Sequence, residues 1–243
     1  MELGLNGRVA VVAASSKGLG RATAVALAAE GASVLLNGRD EAALDDAVAA
    51  IISAGGTAVG VVADITDPAV PARLVEEAVA RWGRLDIVVG NAGGPPPGKA
   101  LDVDDEAILA AVNANLLSSV RLAKAAVPRL RAGGWGRICF ITSISVRQPI
   151  SGLALSNTAR AGLWAWAKTA ATDLSADGIT VNLACPGHHA TDRMTALGVG
   201  PGSGPMGDPG DFGKAVAFLC SEPAAFISGT ALGVDGAAVA GLL

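Results

Sequence analysis

Short apolar runs alternate with longer segments of helical periodicity along most of the chain. The first run, Val9–Ala14, is rich in β-branched residues, and the alanine-rich segment after it has apolar residues at helical spacing. A short, continuously apolar run is typical of a strand that is buried on both faces of a parallel sheet. The alternation therefore predicts a parallel sheet with helices on both of its faces.

The same pattern predicts where the other elements lie. Further strands are predicted over Ala32–Asn37, Thr57–Ala63, Leu85–Gly90, Arg137–Thr142, Ile179–Cys185 and Thr230–Val234. Further helices are predicted over 40–54, 67–82, 104–130, 155–176 and 211–221. Because no linker, charge block or repeat divides the sequence, residues 1–243 are expected to form a single domain. The glycine-rich segment Ala196–Gly210 is interpreted as a mobile flap or a loose loop.

Composition and charge exclude several classes of protein. The net charge of −4 and the pI near 5.2 give no electrostatic reason to expect a nucleic-acid partner. No uncharged apolar run approaches the ~20 residues that span a bilayer, and the start, MELGLNGR, lacks the basic region of a signal peptide. The three cysteines are widely spaced and indicate buried thiols without disulfides or a metal site. We therefore expect a cytoplasmic protein with no membrane or metal partner.

A glycine turn follows the first predicted strand. Its sequence is Ser15-Ser16-Lys17-Gly18-Leu19-Gly20, and it opens the alanine-rich helix. Glycines let the backbone approach a ligand closely, and a helix N-terminus presents free N–H groups and a positive dipole end. That combination suits the pyrophosphate of a dinucleotide, although an ordinary tight turn between strand and helix could have the same sequence.

The end of the second predicted strand indicates which dinucleotide is bound. In dinucleotide folds this position meets the adenosine ribose, and an acidic residue there favours NAD. This chain has Asn37 and then Arg39, with Lys17 nearby in the glycine turn. Two cations without a carboxylate favour the 2′-phosphate of NADP(H), unless both are ordinary solvated charges.

Several polar or turn-forming residues follow the other predicted strands, so they share one edge of the sheet, where ligands bind. Asp64-Ile65 follows the third strand and Asn91-Ala92-Gly93 the fourth. Gly94 and Pro95 then begin a stiff stretch that is expected to form a wall of the site. Ser143 follows the fifth strand, and Pro186-Gly187-His188-His189-Ala190-Thr191 follows the sixth. Ser156 and Arg160 lie one helical turn apart, and Asn115 lies in the middle of a long predicted helix, where a structural role is also possible.

These markers, taken in order, resemble those of the short-chain dehydrogenase/reductase family over essentially the whole chain. The match consists of Gly18-Leu19-Gly20, Asp64, Asn91-Ala92-Gly93, Asn115 before a leucine, Ser143, Pro186-Gly187 with Thr191, and Val234-Asp235-Gly236. The sequence is most similar to 3-oxoacyl-carrier-protein reductases and related ketone reductases. The resemblance implies a doubly wound, Rossmann-type sheet of seven strands and a homo-oligomer, either a tetramer or a dimer. It also implies that the cofactor lies along the strand ends named above and contacts Arg160.

The sequence departs from the family pattern at two places. The first glycine of the phosphate-binding motif corresponds to Ala14, which a slightly wider turn would tolerate. The family's tyrosine and lysine, counted from Ser143, correspond to Ser156 and Arg160, and the chain contains no tyrosine at all. A serine is a far poorer acid than the family's tyrosine, and Arg160 does not release a proton near neutral pH.

The missing acid still leaves carbonyl reduction feasible. General acid catalysis contributes about 10²–10⁴-fold, so losing it slows a reaction without abolishing it. Ser143 and Arg160 are expected to stabilise the developing oxyanion, Ser156 to relay to water and Asn115 to hold a water chain. His188 and His189, with Gly94 and Pro95, are assigned to the substrate side, and each histidine is either a titrating group or an ordinary loop residue.

Three functions follow from this interpretation. The favoured one is an NADP(H)-dependent reductase of a small-molecule carbonyl with an atypical active site. The second is a protein that binds the nucleotide without redox turnover. The third is a lyase or isomerase on the same scaffold, in which Arg160 binds an anionic group.

Overall fold

A sheet of seven parallel strands forms the centre of the computed structural model, which describes residues 2–200 and 205–241. The strand order is β3-β2-β1-β4-β5-β6-β7. In chain order the strands are β1 (Val9–Val12), β2 (Ser33–Gly38), β3 (Thr57–Val62), β4 (Ile87–Gly90), β5 (Gly136–Ile141), β6 (Ile179–Pro186) and β7 (Ala231–Val234). The alternation of elements predicts the parallel sheet with helices on both faces, and the family resemblance implies its doubly wound, Rossmann-type form with seven strands; both are confirmed.

Helices connect the strands, and some of them begin at a capping side chain. They are α1 (Gly18–Ala29), α2 (Glu41–Ser53), α3 (Val70–Trp82), α4 (Asp105–Val112), α5 (Ser118–Gly133), α6 (Ala154–Asp173), α7 (Asp192–Ala196) and α8 (Pro209–Leu219). Asp40 caps α2 by accepting from the N–H of Ala43, and Asp104 caps α4 in the same way through Ala107. Such caps satisfy N–H groups that have no partner within the helix.

Alternate residues of each inner strand point to opposite faces of the sheet, and both faces are buried. Val11 and Val88 face a core covered by α3, α5 and α6, whereas Val12 and Val89 face a core covered by α1, α2 and α8. The three free cysteines are buried in these layers: Cys185 lies in the first core, and Cys139 and Cys220 lie in the second. The continuous apolar character of the strands is therefore explained by burial on both faces.

The long helix predicted over 104–130 is interrupted. Between α4 and α5 the backbone forms a π-helical turn, Asn113–Leu117, which contains Asn115. A π-helical turn contains one residue more than an α-helical turn. The flanking helices keep their apolar periodicity, so the sequence pattern did not indicate the interruption. Turns of this type occur frequently at functional sites.

Part of the predicted flap is held in place. Gly207 donates its N–H to the carbonyl of His188 at 2.8 Å and accepts from Ala190 at 3.0 Å. Residues 201–204 of that segment lie outside the described residues. Within the described ranges, none of the helices combines the length and the apolar composition needed to cross a membrane.

The strand order changes direction between β1 and β4, because β2 lies on one side of β1 and β4 lies on the other. The connections from these two strands run to opposite faces of the sheet and leave a crevice beyond their carboxyl ends. Ligands of open α/β sheets bind in such a crevice. The candidate site is built there.

Candidate active site

The glycine turn is packed tightly against the end of β4. Ala14 has a left-handed backbone with φ of 45°, and its carbonyl accepts a 3.0 Å hydrogen bond from Nδ2 of Asn91. A Cβ on Gly20 would collide with that carbonyl oxygen and would lie 2.8 Å from Nδ2 of Asn91. Gly20 is therefore required for close packing of α1 against the turn. The alanine at position 14 is accommodated by a left-handed conformation that costs about 1–2 kcal/mol.

The N-terminus of α1 is open to a ligand. Lys17, its N-cap residue, makes no capping bond through its side chain, so the first N–H groups of the helix stay free of such a partner. Gly18 faces Thr191, whose Cγ2 would lie 3.7 Å from a Cβ at that glycine. A cavity of about 340 Å³ opens beside them, lined by Gly18, Arg21, Ala22, Val25, Ala190, Thr191, Asp192, Pro209 and Gly210. Free N–H groups at the start of a helix beside such a cavity fit the pyrophosphate of a dinucleotide.

The two cations predicted to bind a 2′-phosphate lie at the end of β2, and each is paired with a carboxylate. Lys17 Nζ lies 3.0 Å from Asp40, and Arg39 Nη1 lies 3.6 Å from Asp64. The pKa of Asp64 is lowered by its hydrogen bond from the N–H of Thr66 and, to a lesser degree, by Arg39. Both pairs are solvent-exposed, and exposed pairs are weak and readily exchanged. The cations therefore remain available to an anion that enters between them.

Two other residues predicted to bind the cofactor have side chains that point inwards. The amide of Asn37, 1% exposed, donates to the carbonyls of Val61 and Ala63 at 3.1 and 3.0 Å. Ser15 donates to the carbonyl of Val12 at 2.7 Å and is fully buried. These side chains hold the strand ends in register, and any contact of Ser15 or Asn37 with a nucleotide would have to come from their backbone.

Arg160 reaches across the end of β5. Its Nη1 donates to the carbonyls of Ile141 and Thr142 at 3.1 and 2.7 Å, which fixes the backbone just before Ser143. Burial, and secondly the charge of Arg193, lower the pKa of Arg160 to about 10. Within the described residues, neither Nε nor Nη2 of Arg160 is both buried and without a hydrogen-bond partner, so these nitrogens border solvent.

Two hydroxyls and one amide lie near this arginine in the fold. Ser143 caps a short 3₁₀ turn, Ile144–Val146, by accepting from the N–H of Ser145 at 3.1 Å. Ser156, one turn before Arg160 on α6, is 8% exposed. Asn115 is 4% exposed, and within the described residues neither atom of its amide has a hydrogen-bond partner. Buried polar groups are normally paired, so this amide is suited to anchor an ordered water molecule.

The two histidines, both assigned to the substrate side, are placed differently. His188 is exposed at the end of β6. His189 is 4% exposed, its ring packs edge-on against Phe212 at a centroid distance of 5.2 Å, and its Nδ1 lies 3.3 Å from the carbonyl of Gly187. The ring of His189 is enclosed between the α8 core and the loop at Gly207, so any contact of this residue with a substrate would have to come from its backbone.

The structure adds one residue that the sequence did not single out. Arg193 on α7 extends across the site and donates through Nη2 to the carbonyl of Pro95 at 2.7 Å. Its guanidinium group covers Gly94, where a Cβ would lie 2.9 Å from Nε. No local motif marks Arg193, since its position depends on a contact between segments 98 residues apart.

The remaining predicted contacts line the same crevice. Ile65 is buried beneath the loop after β3, and Ala92 and Gly93 continue the chain beyond Asn91. Pro186 and Gly187 end β6, where a Cβ on Gly187 would lie 2.8 Å from Cα of Asp235. Among the residues that the structure covers, no group of three or more histidine, cysteine, aspartate or glutamate side chains is arranged to hold a metal ion.

Oxidoreductases of known structure share this fold, and sequence comparison identifies the family. Residues 13–237 match the sequence model described as "Enoyl-(Acyl carrier protein) reductase". The chain is 34% identical over 242 residues to a 3-oxoacyl-[acyl-carrier-protein] reductase of Synechocystis sp., covering 97% of this chain and 98% of the relative. The protein belongs to the short-chain dehydrogenase/reductase family.

Solved structures share the whole fold at similar identity. L-sorbose reductase from Gluconobacter frateurii, in complex with NADPH and L-sorbose, superposes with a TM-score of 0.92 at 30% identity and covers 100% of both chains. A 7α-hydroxysteroid dehydrogenase in complex with NADH and 7-oxoglycochenodeoxycholic acid also gives 0.92, at 28% identity, covering 100% of this chain and 98% of that one. The two relatives hold different nicotinamide cofactors, so family membership does not determine which cofactor this chain uses.

Proposed function

We propose that the protein is an NADP(H)-dependent oxidoreductase that reduces a small-molecule carbonyl to an alcohol without a tyrosine acid. The observation that carries this proposal is the arrangement at the end of β5, where Arg160 fixes the backbone that leads into Ser143. This arrangement lies on the same sheet edge as an open glycine turn. The chain's similarity to reductases over its whole length supports the same conclusion.

The residues present fit a dinucleotide along the crevice. The free N–H groups at the start of α1, facing Thr191, would hold the pyrophosphate. Ser16, Lys17 and Arg39 would surround the 2′-phosphate. The segments Asn91–Gly93 and Pro186–Gly187 would line the nicotinamide end. When bound, NADPH supplies the hydride that converts the carbonyl carbon to an alkoxide.

The chain's own groups then have to stabilise a negatively charged oxygen and provide a route for a proton. The positive charge of Arg160 and the hydroxyl of Ser143 stabilise the developing oxyanion, and such interactions are strong in a partly dehydrated site. The proton comes from water, because neither serine nor arginine is an effective acid near neutral pH. The hydroxyl of Ser156 and the unpartnered amide of Asn115 orient that water.

The proposal is tested with a panel of ketones and NADPH, followed by absorbance at the nicotinamide band. We expect turnover with NADPH and a Kd for NADPH about tenfold below that for NADH, because charge-assisted hydrogen bonds to the 2′-phosphate add affinity. Arg39→Ala is expected to raise the Kd for NADPH and leave that for NADH unchanged, whereas Arg81→Ala, on the exposed surface of α3, changes neither. Equal Kd values for both cofactors, unaffected by Arg39→Ala, would contradict the NADP(H) assignment.

The source of the proton is tested by the pH dependence of hydride transfer in single turnovers. If water is the donor, His188→Asn leaves the rate and its pH profile unchanged. His189→Asn is expected to lower the thermal unfolding temperature, since that ring packs in the α8 core, and to leave the profile unchanged. A loss of about 100-fold in rate with either substitution, within the range for general acid catalysis, would assign the proton to that histidine.

A further inference from the structure

Arg193 carries a positive charge into the substrate end of the crevice. Its guanidinium group is held from one side by the carbonyl of Pro95 and lies over Gly94, the two residues that were expected to form a wall of the site. The hydrogen bond to Pro95 occupies Nη2 and leaves other donors of the planar group available. The side chain is thus oriented by the protein before any ligand binds.

Neither arginine of this region has a carboxylate partner. Across the described residues, no carboxylate oxygen lies within 4 Å of the guanidinium nitrogens of Arg160 or Arg193. Their protein partners are backbone carbonyls instead. The two charges are also close enough for Arg193 to lower the pKa of Arg160. In a chain of net charge −4, two uncompensated cations in one crevice form a site for an anion.

The anion bound by Arg193 is better assigned to the substrate than to the cofactor. The cavity beside the glycine turn is lined by Thr191 and Asp192 but not by Arg193. The guanidinium group of Arg193 lies instead against Gly94 and Pro95 and near Arg160. The free N–H groups of α1 already provide a site for the pyrophosphate.

We propose that Arg193 binds a carboxylate of the substrate, so that the protein acts on an oxo acid, a small molecule carrying a carboxylate close to its carbonyl group. This inference rests on the carbonyl reduction proposed above and names its substrate class. A planar guanidinium group matches the two oxygens of a carboxylate. Arg160 is then left for the oxygen that becomes negatively charged.

The test compares acids with their uncharged methyl esters, which present the same carbonyl. The probes are 2-oxobutanoate, 3-oxobutanoate and 4-oxopentanoate, each with its ester. Binding is measured by calorimetry in the presence of NADP⁺, which cannot donate a hydride. We expect at least one acid to bind more tightly than its ester. Arg193→Gln should raise the Kd of that acid by about 10- to 100-fold, the loss expected for hydrogen bonds to a charged group. It should raise the Kd of the ester by less than about threefold.

Three variants separate the loss of a carboxylate contact from a general change in charge. Arg129→Gln removes a positive charge from the exposed surface of α5 and should leave the affinity for the acid unchanged. Arg193→Lys keeps the charge but loses the planar fork, so it should restore part of the affinity. Gly94→Ala keeps every charge and displaces the guanidinium group, because its Cβ would lie 2.9 Å from Nε. Gly94→Ala should therefore also weaken binding of the acid more than binding of its ester.

Several outcomes would overturn the inference. One is failure of all three acids to bind, and another is an equal loss of affinity for acid and ester in Arg193→Gln. A third is a loss in Arg193→Gln that is confined to the affinity for NADPH, measured by fluorescence, which would assign Arg193 to the pyrophosphate. The proposed reaction fails separately. If an acid binds in an Arg193-dependent way but no NADPH is oxidised, the proposed reduction is overturned and the carboxylate contact of Arg193 stands. If only neutral ketones are reduced, the reduction stands and the carboxylate contact is overturned.

Discussion

Replacing Arg160 with methionine is expected to lower kcat/KM for carbonyl reduction by about 100-fold or more, the usual result of removing a group that stabilises an oxyanion. The thermal unfolding temperature should change by no more than about 3 °C, because two effects on stability oppose each other. The carbonyls of Ile141 and Thr142 lose their donor, at a cost of about 1–3 kcal/mol. Removing the buried charge relieves the desolvation that lowers the pKa of Arg160 to about 10.

Arg137 provides a matched control at the opposite end of β5. It is 2% exposed, donates to the carbonyls of Ser221 and Gly136, and stacks over Trp135 at 4.1 Å. Arg137→Met should lower the unfolding temperature and leave the kcat/KM of the folded protein intact. Arg160→Lys, which keeps the charge, should retain part of the activity. If Arg160→Met behaved like Arg137→Met, Arg160 would be a structural residue without a part in the reaction.

Gly20→Ala is expected to have the second large effect, on cofactor binding. The added Cβ would collide with the carbonyl of Ala14 and crowd Asn91, and the obstructing atoms include backbone that cannot rotate away. Displacing α1 from the turn misplaces the N–H groups that we propose to bind the pyrophosphate. We expect the Kd for NADPH to rise by about 100-fold, within the range for losing hydrogen bonds to a charged group, and the free energy of unfolding to fall by about 1–3 kcal/mol.

Fluorescence titration with NADPH and thermal denaturation measure these two quantities. Gly133→Ala is the matched control, since this glycine near the end of α5 has no atom within 4 Å of an added Cβ. It should leave the Kd unchanged and keep or raise stability. A Kd for NADPH in Gly20→Ala within about threefold of the wild-type value would show that the turn does not hold the cofactor.

The sequence was sufficient to predict the sheet and the residues along its edge, because both depend on local patterns. Apolar runs mark strands that are buried on both faces, and a parallel sheet brings their carboxyl ends to one side. Ser143 and Asn91 therefore lie where their places after β5 and β4 predicted. The bounds of the strands differ from those predicted by at most one residue, apart from β1 and β4, each of which is two residues shorter at one end.

The features that the sequence did not predict depend on contacts between distant segments. The sequence shows Asn37 as a polar residue at the end of a strand, whether its amide points inwards or outwards. The amide points inwards because it donates to carbonyls at the end of β3. His189 is buried by Phe212 from α8, and Arg193 is oriented by Pro95. The π-helical turn at Asn115 follows from a change of hydrogen-bond register that leaves the apolar pattern of the flanking helices intact. Each of these is a tertiary effect without a local signal.

The three buried thiols lie in both cores, so their reactivity can show which side of the sheet opens locally. Cys139 lies on β5, and its contact with Cys220, together with burial, raises the pKa of its thiol. Cys185 lies in the opposite core, and burial raises its pKa as well. A disulfide reagent therefore reacts with a thiol only after the covering helices have moved away from the sheet. Labelling followed by mass spectrometry would distinguish opening of the α1–α8 side from opening of the α5–α6 side without any engineered probe.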